Sequence, residues 1–321
     1  MPMPAAFDGK LTLPVIAAPM FLVSGTELVI EACRAGVVGT FPALNARPIE
    51  KFDQWLGDIE SALAATPDAA PYGVNLIVHR SNVRLDEDIA TTVKHEVPLV
   101  ISSVGHPGPV IDAVHAYGGL VFADVIHMHH ARKAIQAGVD GVILVSAGAG
   151  GHAGTTNPFA MVRQLREFYD GTVILAGAIS DGASVAAAQV MGADFAYLGT
   201  RFISTQESQG GAGYSQMIVD SDSNDIIYTD AISGIKGNFM RSSLERAGLD
   251  PDDLPPKPTI NMDKETNPDR EKKAWKDVWS AGQGVGNIHD VPTTAELVAT
   301  LKREYDEAMS IAFADYRAAA E

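Results

Sequence analysis

Eight short apolar runs punctuate the first 200 residues, and most are continuous rather than alternating. They are Leu13–Ala18, Val37–Thr40, Tyr72–Val78, Pro98–Val104, Gly119–Val125, Gly141–Ala147, Thr172–Ala178 and Phe195–Thr200. An alternating strand shows one face to water, whereas a continuous run suits a parallel strand covered on both faces. Between the runs lie segments of helical spacing. Thr26–Ala35 puts Leu28, Val29 and Ala32 on one stripe. Pro109–Tyr117, Ala131–Ala137 and Asp181–Met191 read the same way, the last opening with a capping-type Ser180–Asp181 pair. Gly36, Gly118, Gly138 and Gly192 stand where helices should stop. The second strand is the least regular, being short and interrupted by Pro42.

Strand starts advance from residue 13 to residue 195 in seven steps, about 26 residues apiece. One strand, one helix and two short loops fill that period. Eight such units predict an α/β fold of the (β/α)8 TIM-barrel type with a C-terminal helical lobe. A doubly wound open sheet is the alternative, but its GxGxxG fingerprint is missing, because the first run leads into Ala18-Pro19-Met20.

The character changes after Arg201. Residues 202–250 read as helical and polar, with a Gly-rich patch at Gln209–Gly213. Residues 250–273 are rich in Pro, Asp and Lys and read as an extended surface excursion. Trp275–Gly286 restores aromatic and Gly residues, and Thr293–Ala320 patterns as a final helix. The expected organisation is a barrel from residues 1–205 and 275–321, with residues 206–274 inserted as a lobe.

Composition narrows the function. The chain is 46% hydrophobic, enough for a large core, and carries 24 Lys plus Arg against 40 Asp plus Glu, a net charge of −16. Such a surface repels phosphate backbones and anionic lipid, so neither nucleic acid nor membrane is expected as a partner. The apolar stretch Leu13–Val23 is half the length needed to cross a bilayer, and MPMPAAFDGK lacks a secretory pattern. A cytoplasmic protein is expected; homo-oligomerisation is left open. Cys33 is the sole cysteine, which excludes a disulfide within the chain and a Cys-based zinc or iron–sulfur site. No GxxxxGK[ST] run is present, so triphosphate chemistry is not indicated.

In a barrel of this type the reactive groups stand at the C-terminal ends of the strands. Those ends supply Ala18-Pro19-Met20, Asn75, Ser102-Ser103, Asp124, the segment Ser146–Gly154, Ala176-Gly177-Ala178 and Gly199-Thr200-Arg201. Glycine at the seventh and eighth ends lets backbone N–H groups approach a phosphate, with a helix start close behind. The alternative is that these glycines only make tight turns. The sixth loop, Gly148-Ala149-Gly150-Gly151-His152-Ala153-Gly154, holds one imidazole in a nearly side-chain-free setting. With a reference pKa of ~6.5 that imidazole suits proton transfer near neutrality. Asp124, His127, His129 and His130 form a competing metal-like cluster, but they should open a helix on which only His127 and His130 share a face. His79–Asn82 reads as a turn, and Trp275 and Trp279 as packing between lobe and barrel.

The segments Ala18-Pro19-Met20, Gly73-Val74-Asn75-Leu76, Ala149–Gly154, Leu175-Ala176-Gly177 and Leu198-Gly199-Thr200-Arg201-Phe202, with Trp279–Gly284, occur in one order along the chain. Together they resemble the nitronate monooxygenase family, formerly 2-nitropropane dioxygenases. The resemblance implies one non-covalent FMN at the barrel mouth. Its phosphate would sit on Gly177-Ala178 and Gly199-Thr200, flanked by Ala176 and Leu198. Pro19 and Met20, after Ala18, would line the isoalloxazine, and Asn75 would hydrogen-bond the ring or ribityl region. The loop Ala149-Gly150-Gly151 would lie over the ring, and Gln283 would approach from the lobe. His152 matches the family's active-site histidine, acting as base on a nitroalkane or holding a nitronate. The implied reaction oxidises a nitronate with O2 to a carbonyl compound and nitrite. Two residues depart from the family pattern: Asp124 falls where some members have a lysine near the flavin, and Gly177-Ala178 replaces Gly-Gly. The same superfamily contains FMN-dependent enoyl reductases and NADH:quinone reductases, and a nicotinamide-dependent reductase is the alternative reading.

Overall fold

The computed structural model describes residues 4–255 and 278–318. The sequence-predicted barrel is present. Its eight parallel strands are β1 (Val15–Ala17), β2 (Val38–Pro42), β3 (Gly73–Ile77), β4 (Leu99–Ser103), β5 (Leu120–Val125), β6 (Gly141–Val145), β8 (Thr172–Ala176) and β9 (Phe195–Leu198). They pair in that order, and β9 closes on β1 with Ile16 opposite Tyr197. Each coincides with one of the eight apolar runs; β2 extends past its run and ends on Pro42. A separate three-stranded sheet, in the order β10 (Ile226–Thr229), β11 (Gly237–Met240), β7 (Gly151–His152), lies outside the barrel.

Side chains alternate across each strand, and here both sides are apolar. Ile16, Leu99, Ile101, Phe122, Ile143, Ile174 and Phe195 pack together inside the barrel. Val15, Val74, Val100, Val121, Val142 and Val173 pack outward against the helices. That double coverage explains the continuous runs. Phe7, from a short turn at Ala5–Phe7, fills the lower end, its ring centroid 5.2 Å from that of Phe195 and 6.3 Å from that of Phe122. Towards the C-terminal ends of the strands the inward face becomes polar, with Asn75, Ser103, Asp124 and Tyr197.

The helices α1 (Thr26–Arg34), α2 (Ile49–Ala64), α3 (Leu85–Lys94), α4 (Gly108–His115), α5 (Met128–Ala137), α6 (Pro158–Arg166) and α7 (Gly182–Met191) follow the strands. Four of them are those expected from periodicity, and α2, α3 and α6 add to them. Gly138 and Gly192 cap α5 and α7 with φ of 96° and 112°, a region that costs a Cβ-bearing residue strain. Asp181 caps α7, accepting from the Ser184 N–H at 2.7 Å.

Beyond β9 the chain forms α8 (Thr200–Ile203), α9 (Ala212–Val219), β10, β11 and α10 (Arg241–Arg246). The expectation of a helical stretch over residues 202–250 is therefore corrected: residues 226–240 hold two strands. Ile226, Ile227, Tyr228 and Thr229 are the β-branched and aromatic types that fit a pleated surface. The expected excursion at 250–273 lies from residue 256 onward outside the described residues, as does Trp275. The final helix α11 (Thr294–Ala318) packs beside α7, where Glu304 accepts from the Gly182 N–H at 2.8 Å and the Tyr305 hydroxyl donates to Gln189. No helix among the described residues is long and apolar enough to cross a membrane.

Candidate active site

A cavity of about 530 Å³ opens at the C-terminal ends of the barrel strands. It is lined by His152, Ala18, Pro19, Met20, Asn75, Asp124, Ala149, Gly150, Gly151, Ala176, Gly177, Ala178, Gly199 and Thr200. Of the residues that the family resemblance assigned to the flavin site, Leu198 and Gln283 alone do not line it. Leu198 points outward into the packed layer under the helices. Gln283 is exposed, and its side chain closes over Gly148, whose Cβ position lies 3.0 Å from Gln283 Oε1.

The wall made by β6, β8 and β9 is nearly free of side chains. It is not loose. The Gln283 N–H donates to the Gly148 carbonyl at 2.9 Å, the Asn238 amide to the Ala149 carbonyl at 2.6 Å and the Tyr228 hydroxyl to the Ala153 carbonyl at 2.9 Å. β7 is clamped by antiparallel pairing with β11, Gly237 opposite His152 and Asn238 opposite Gly151. Thr200 Oγ1 accepts from the Gly282 N–H at 2.9 Å, tying the end of β9 to the lobe.

Two glycines on this wall have different reasons to be there. Gly177 has φ of 133°, and a Cβ on it would lie 2.3 Å from Ser146 Oγ. The protein itself demands that glycine. A Cβ on Gly199 would meet nothing nearer than Met20 Sδ at 3.7 Å and Ala18 Cβ at 3.8 Å, ordinary contacts with two cavity-lining residues. The fold itself would accommodate a Cβ at Gly199. At the start of α7, Glu304 and Asp181 accept from the N–H groups of Gly182 and Ser184.

The floor is polar and connected. Asn75 donates through Nδ2 to Ser103 Oγ at 2.7 Å and to the Ile101 carbonyl at 3.1 Å; Ser103 in turn donates to Asp124. Burial raises the Asp124 carboxyl to about 6, with the Ser103 hydrogen bond opposing it. Tyr197 is pushed well above its ordinary range by burial and by the neighbouring Asp124. Ser103 was among the strand-end residues named from the sequence, and strand alternation could have picked Tyr197 as well, since it stands two residues beyond the inward Phe195.

The wall made by β1 to β4 is apolar, with Phe21, Leu22, Pro42, Leu44, Ile77 and Val104. Leu22 and Val104 have positive φ, 62° and 60°, as does Ala178 at 54° on the opposite wall. Non-glycine residues in this region, a β-branched valine above all, cost about 1–3 kcal/mol and persist where neighbours over-determine them. Asn45 does this for Leu22, accepting its N–H at 2.9 Å while donating to the Met20 and Ser24 carbonyls. Nothing in the sequence signalled that strain.

On the lobe side Trp279 has both faces covered. Tyr214 stacks on it at 4.7 Å and 10°, and the Arg246 guanidinium lies 3.4 Å from its centroid. It packs the lobe, as expected, and offers no open face to a ligand.

His152 sits where the Gly-rich wall meets the lobe sheet. Its Nε2 lies 2.9 Å from Ser233 Oγ. Burial lowers its pKa to about 4, so the imidazole is neutral at neutral pH, not half-titrated as an exposed histidine would be. The other histidines stand apart. His127 caps α5, its Nδ1 accepting from the His130 N–H at 3.4 Å, and the two rings are 3.7 Å apart. Among the described residues no group of three His, Cys, Asp or Glu side chains is placed to hold a metal. His79 makes a local bond to Ser81 at 2.7 Å, within a turn.

Comparison with known proteins gives the chain its kin. A family model described as nitronate monooxygenase matches residues 81–304. A nitronate monooxygenase of Paraburkholderia phytofirmans is 28% identical, covering 92% of this chain and 93% of that protein. Among solved structures, nitroalkane oxidase from Streptomyces ansochromogenes matches with a TM-score of 0.80 and 22% identity, covering 96% of this chain and 99% of the other. FabK from Thermotoga maritima matches with a TM-score of 0.76 and 22% identity, covering 94% and 95%. At that identity the two structures speak for the fold alone.

Proposed function

The chain belongs to the nitronate monooxygenase family, and we propose that it oxidises alkyl nitronates, and the nitroalkanes that give rise to them, with O2 to a carbonyl compound and nitrite. The cofactor in this reading is one non-covalent FMN. When bound, it supplies the electron transfer that links the organic substrate to O2. Its phosphate is assigned to the turns Gly177-Ala178 and Gly199-Thr200, whose N–H groups donate to no side chain or loop carbonyl among the described residues. Its ring is assigned to the space bounded by Ala18, Pro19, Met20, Asn75 and Asp124, under Ala149-Gly150-Gly151. The room left above Gly199 supports this fit.

The observation that carries the reading is the state of His152. A part-buried imidazole at the cavity wall, its pKa lowered to about 4, accepts a proton without presenting a competing charge, which is what removal of a proton beside a nitro group requires. The apolar wall from β1 to β4 takes the hydrocarbon part. Two features weigh against a nicotinamide-dependent reductase. Among the described residues lining the cavity none is Lys or Arg, the side chains that best hold a dinucleotide's phosphates. Trp279 has no open face on which a nicotinamide or adenine ring could stack.

The test is flavin release followed by turnover. Denaturation should free FMN. Oxygen uptake and nitrite release should follow addition of ethylnitronate or propionate 3-nitronate, and His152→Ala should lower kcat/KM on the parent nitroalkane by about 10²–10⁴-fold. Rapid anaerobic bleaching by NADH or NADPH, with no oxygen uptake on any nitronate, would transfer the protein to the reductase reading.

A further inference from the structure

We propose that Asp124 is the specificity-determining residue of the cavity: its carboxylate repels anionic ligands, so the site takes the uncharged nitroalkane in preference to the nitronate and admits small anions when that carboxyl is protonated. This rests on the proposed oxidation of nitro compounds and chooses between its two substrates. Asp124 stands near the C-terminal end of β5 and lines the cavity. Two neighbouring strands fix its position. Ser103 on β4 is hydrogen-bonded to its Oδ2, and Asn75 on β3 holds Ser103 through Nδ2 at 2.7 Å. On β6 its pairing partner is the apolar Ile143. From β9 comes Tyr197, pushed well above its ordinary range and so uncharged. The histidines that follow in sequence, His127, His129 and His130, pack on one another at the start of α5.

The cavity is small against the reach of a buried charge. Its volume of about 530 Å³ puts a ligand anywhere inside within roughly 10 Å of Asp124, a range over which like charges in a protein change an equilibrium about tenfold or more. Burial holds the Asp124 carboxyl at about 6, so it is neutral below that pH and charged above it. His152, lowered to about 4, stays neutral across the step. A fixed charge elsewhere would shift anion affinity alike at every pH, whereas the step belongs to Asp124. Above it a nitroalkane enters without penalty and gives its proton to His152, the C–H electron pair staying with the nitronate and a new N–H bond forming on the ring. That nitronate is accompanied by the imidazolium its own proton created. A nitronate arriving from solvent brings no such partner and must pass Asp124 with its charge.

The test is calorimetric titration of the purified flavoprotein with nitrate, a planar anion of nitronate-like shape that stays ionised throughout, at about pH 5 and about pH 8. The wild type should bind nitrate about tenfold or more tightly at the lower pH, with affinity lost as pH rises through about 6. Asp124→Asn, which keeps an oxygen for Ser103, should bind it equally at both within about threefold, and as tightly as the wild type does at low pH. At the higher pH the ratio of kcat/KM on ethylnitronate to that on nitroethane should rise about tenfold or more in the variant. Wild-type affinity that is equal at both pH values, or undetectable at both, overturns the proposal even if Asp124→Asn fails to fold. So does a pH step that survives in the folded variant, or an unchanged kcat/KM ratio. Nitrate binding needs no turnover. The expected step with no oxygen uptake on any nitro compound would remove the proposed function and leave the control of anion entry by Asp124 standing.

Discussion

The two walls of the cavity reach rigidity by opposite routes. The β6–β8–β9 wall presents backbone, and hydrogen bonds from Asn238, Tyr228 and Gln283 immobilise it from behind. The β1–β4 wall presents side chains and holds two of them, Leu22 and Val104, in strained conformations. The contrast shows that a glycine-rich segment is not by nature mobile. Gly148–Gly154 would be so in isolation, but it is an edge of someone else's sheet. The contrast extends to charge. One wall carries an imidazole kept neutral, and the floor under the other carries a carboxyl raised into the range of weak acids.

The sharpest way to break this comparison is to add one methyl group at two places on the backbone wall. Gly177→Ala should destabilise the protein by about 2–4 kcal/mol, since the Cβ collides with Ser146 and φ is unfavourable. Gly199→Ala should leave stability within about 0.5 kcal/mol while weakening flavin binding tenfold or more. Denaturation of the flavin-free protein and fluorescence titration of flavin separate the two. If both variants lose stability alike, the space above Gly199 is not reserved for a ligand.

The next effect is electrostatic and opposes itself. His152 has a folded pKa of about 4, below that of an ordinary histidine, so the unfolded chain binds its proton more readily. Its contribution to stability is fully present above pH ~6.5 and is lost as pH falls towards about 4. Asp124 has a folded pKa of about 6, above the ordinary value of 3.8. Its contribution is fully present below pH ~3.8 and is lost as pH rises through about 6. Each is worth about 3 kcal/mol, and between pH 4 and 6 they nearly cancel. Relative to the wild type, Asp124→Asn should gain a stability that climbs with pH across that window. His152→Gln should show one that descends. Urea midpoints at a series of pH values decide this, and parallel curves for all three proteins would remove the charge contrast between the walls.

The smallest effect is on the strained side. Val104→Gly relieves a β-branched residue at φ of 60° and should raise stability by up to about 1 kcal/mol. Val100→Gly, outward on β4 just before it and fully buried, should cost about 3 kcal/mol. A comparable loss at both positions would mean that Val104 packs rather than strains.

These walls were unequally readable from the chain. Continuous apolar runs at a steady period exposed the barrel, because burial on both faces of a parallel strand leaves no alternation. Strand ends then pointed to Gly177, Gly199, Asn75, Asp124 and His152, all of which line the cavity. What stayed hidden depends on long-range pairing. Residues 226–240 carry a strand signal of only four residues each, and what makes them strands is mutual pairing and the edge offered by Gly151–His152. Leu198 resisted for a simpler reason: it belongs to a motif by neighbourhood but faces the other side of its strand.

Phe7 closes the barrel from below. With that ring wedged beneath the barrel axis, the vessel has a stopper at its base, and traffic along the axis is confined to the rim. Phe7 shares that stopper with the packed layer of Ile16, Phe122, Ile143 and Phe195 above it, so any visitor to the cavity comes and goes by one side.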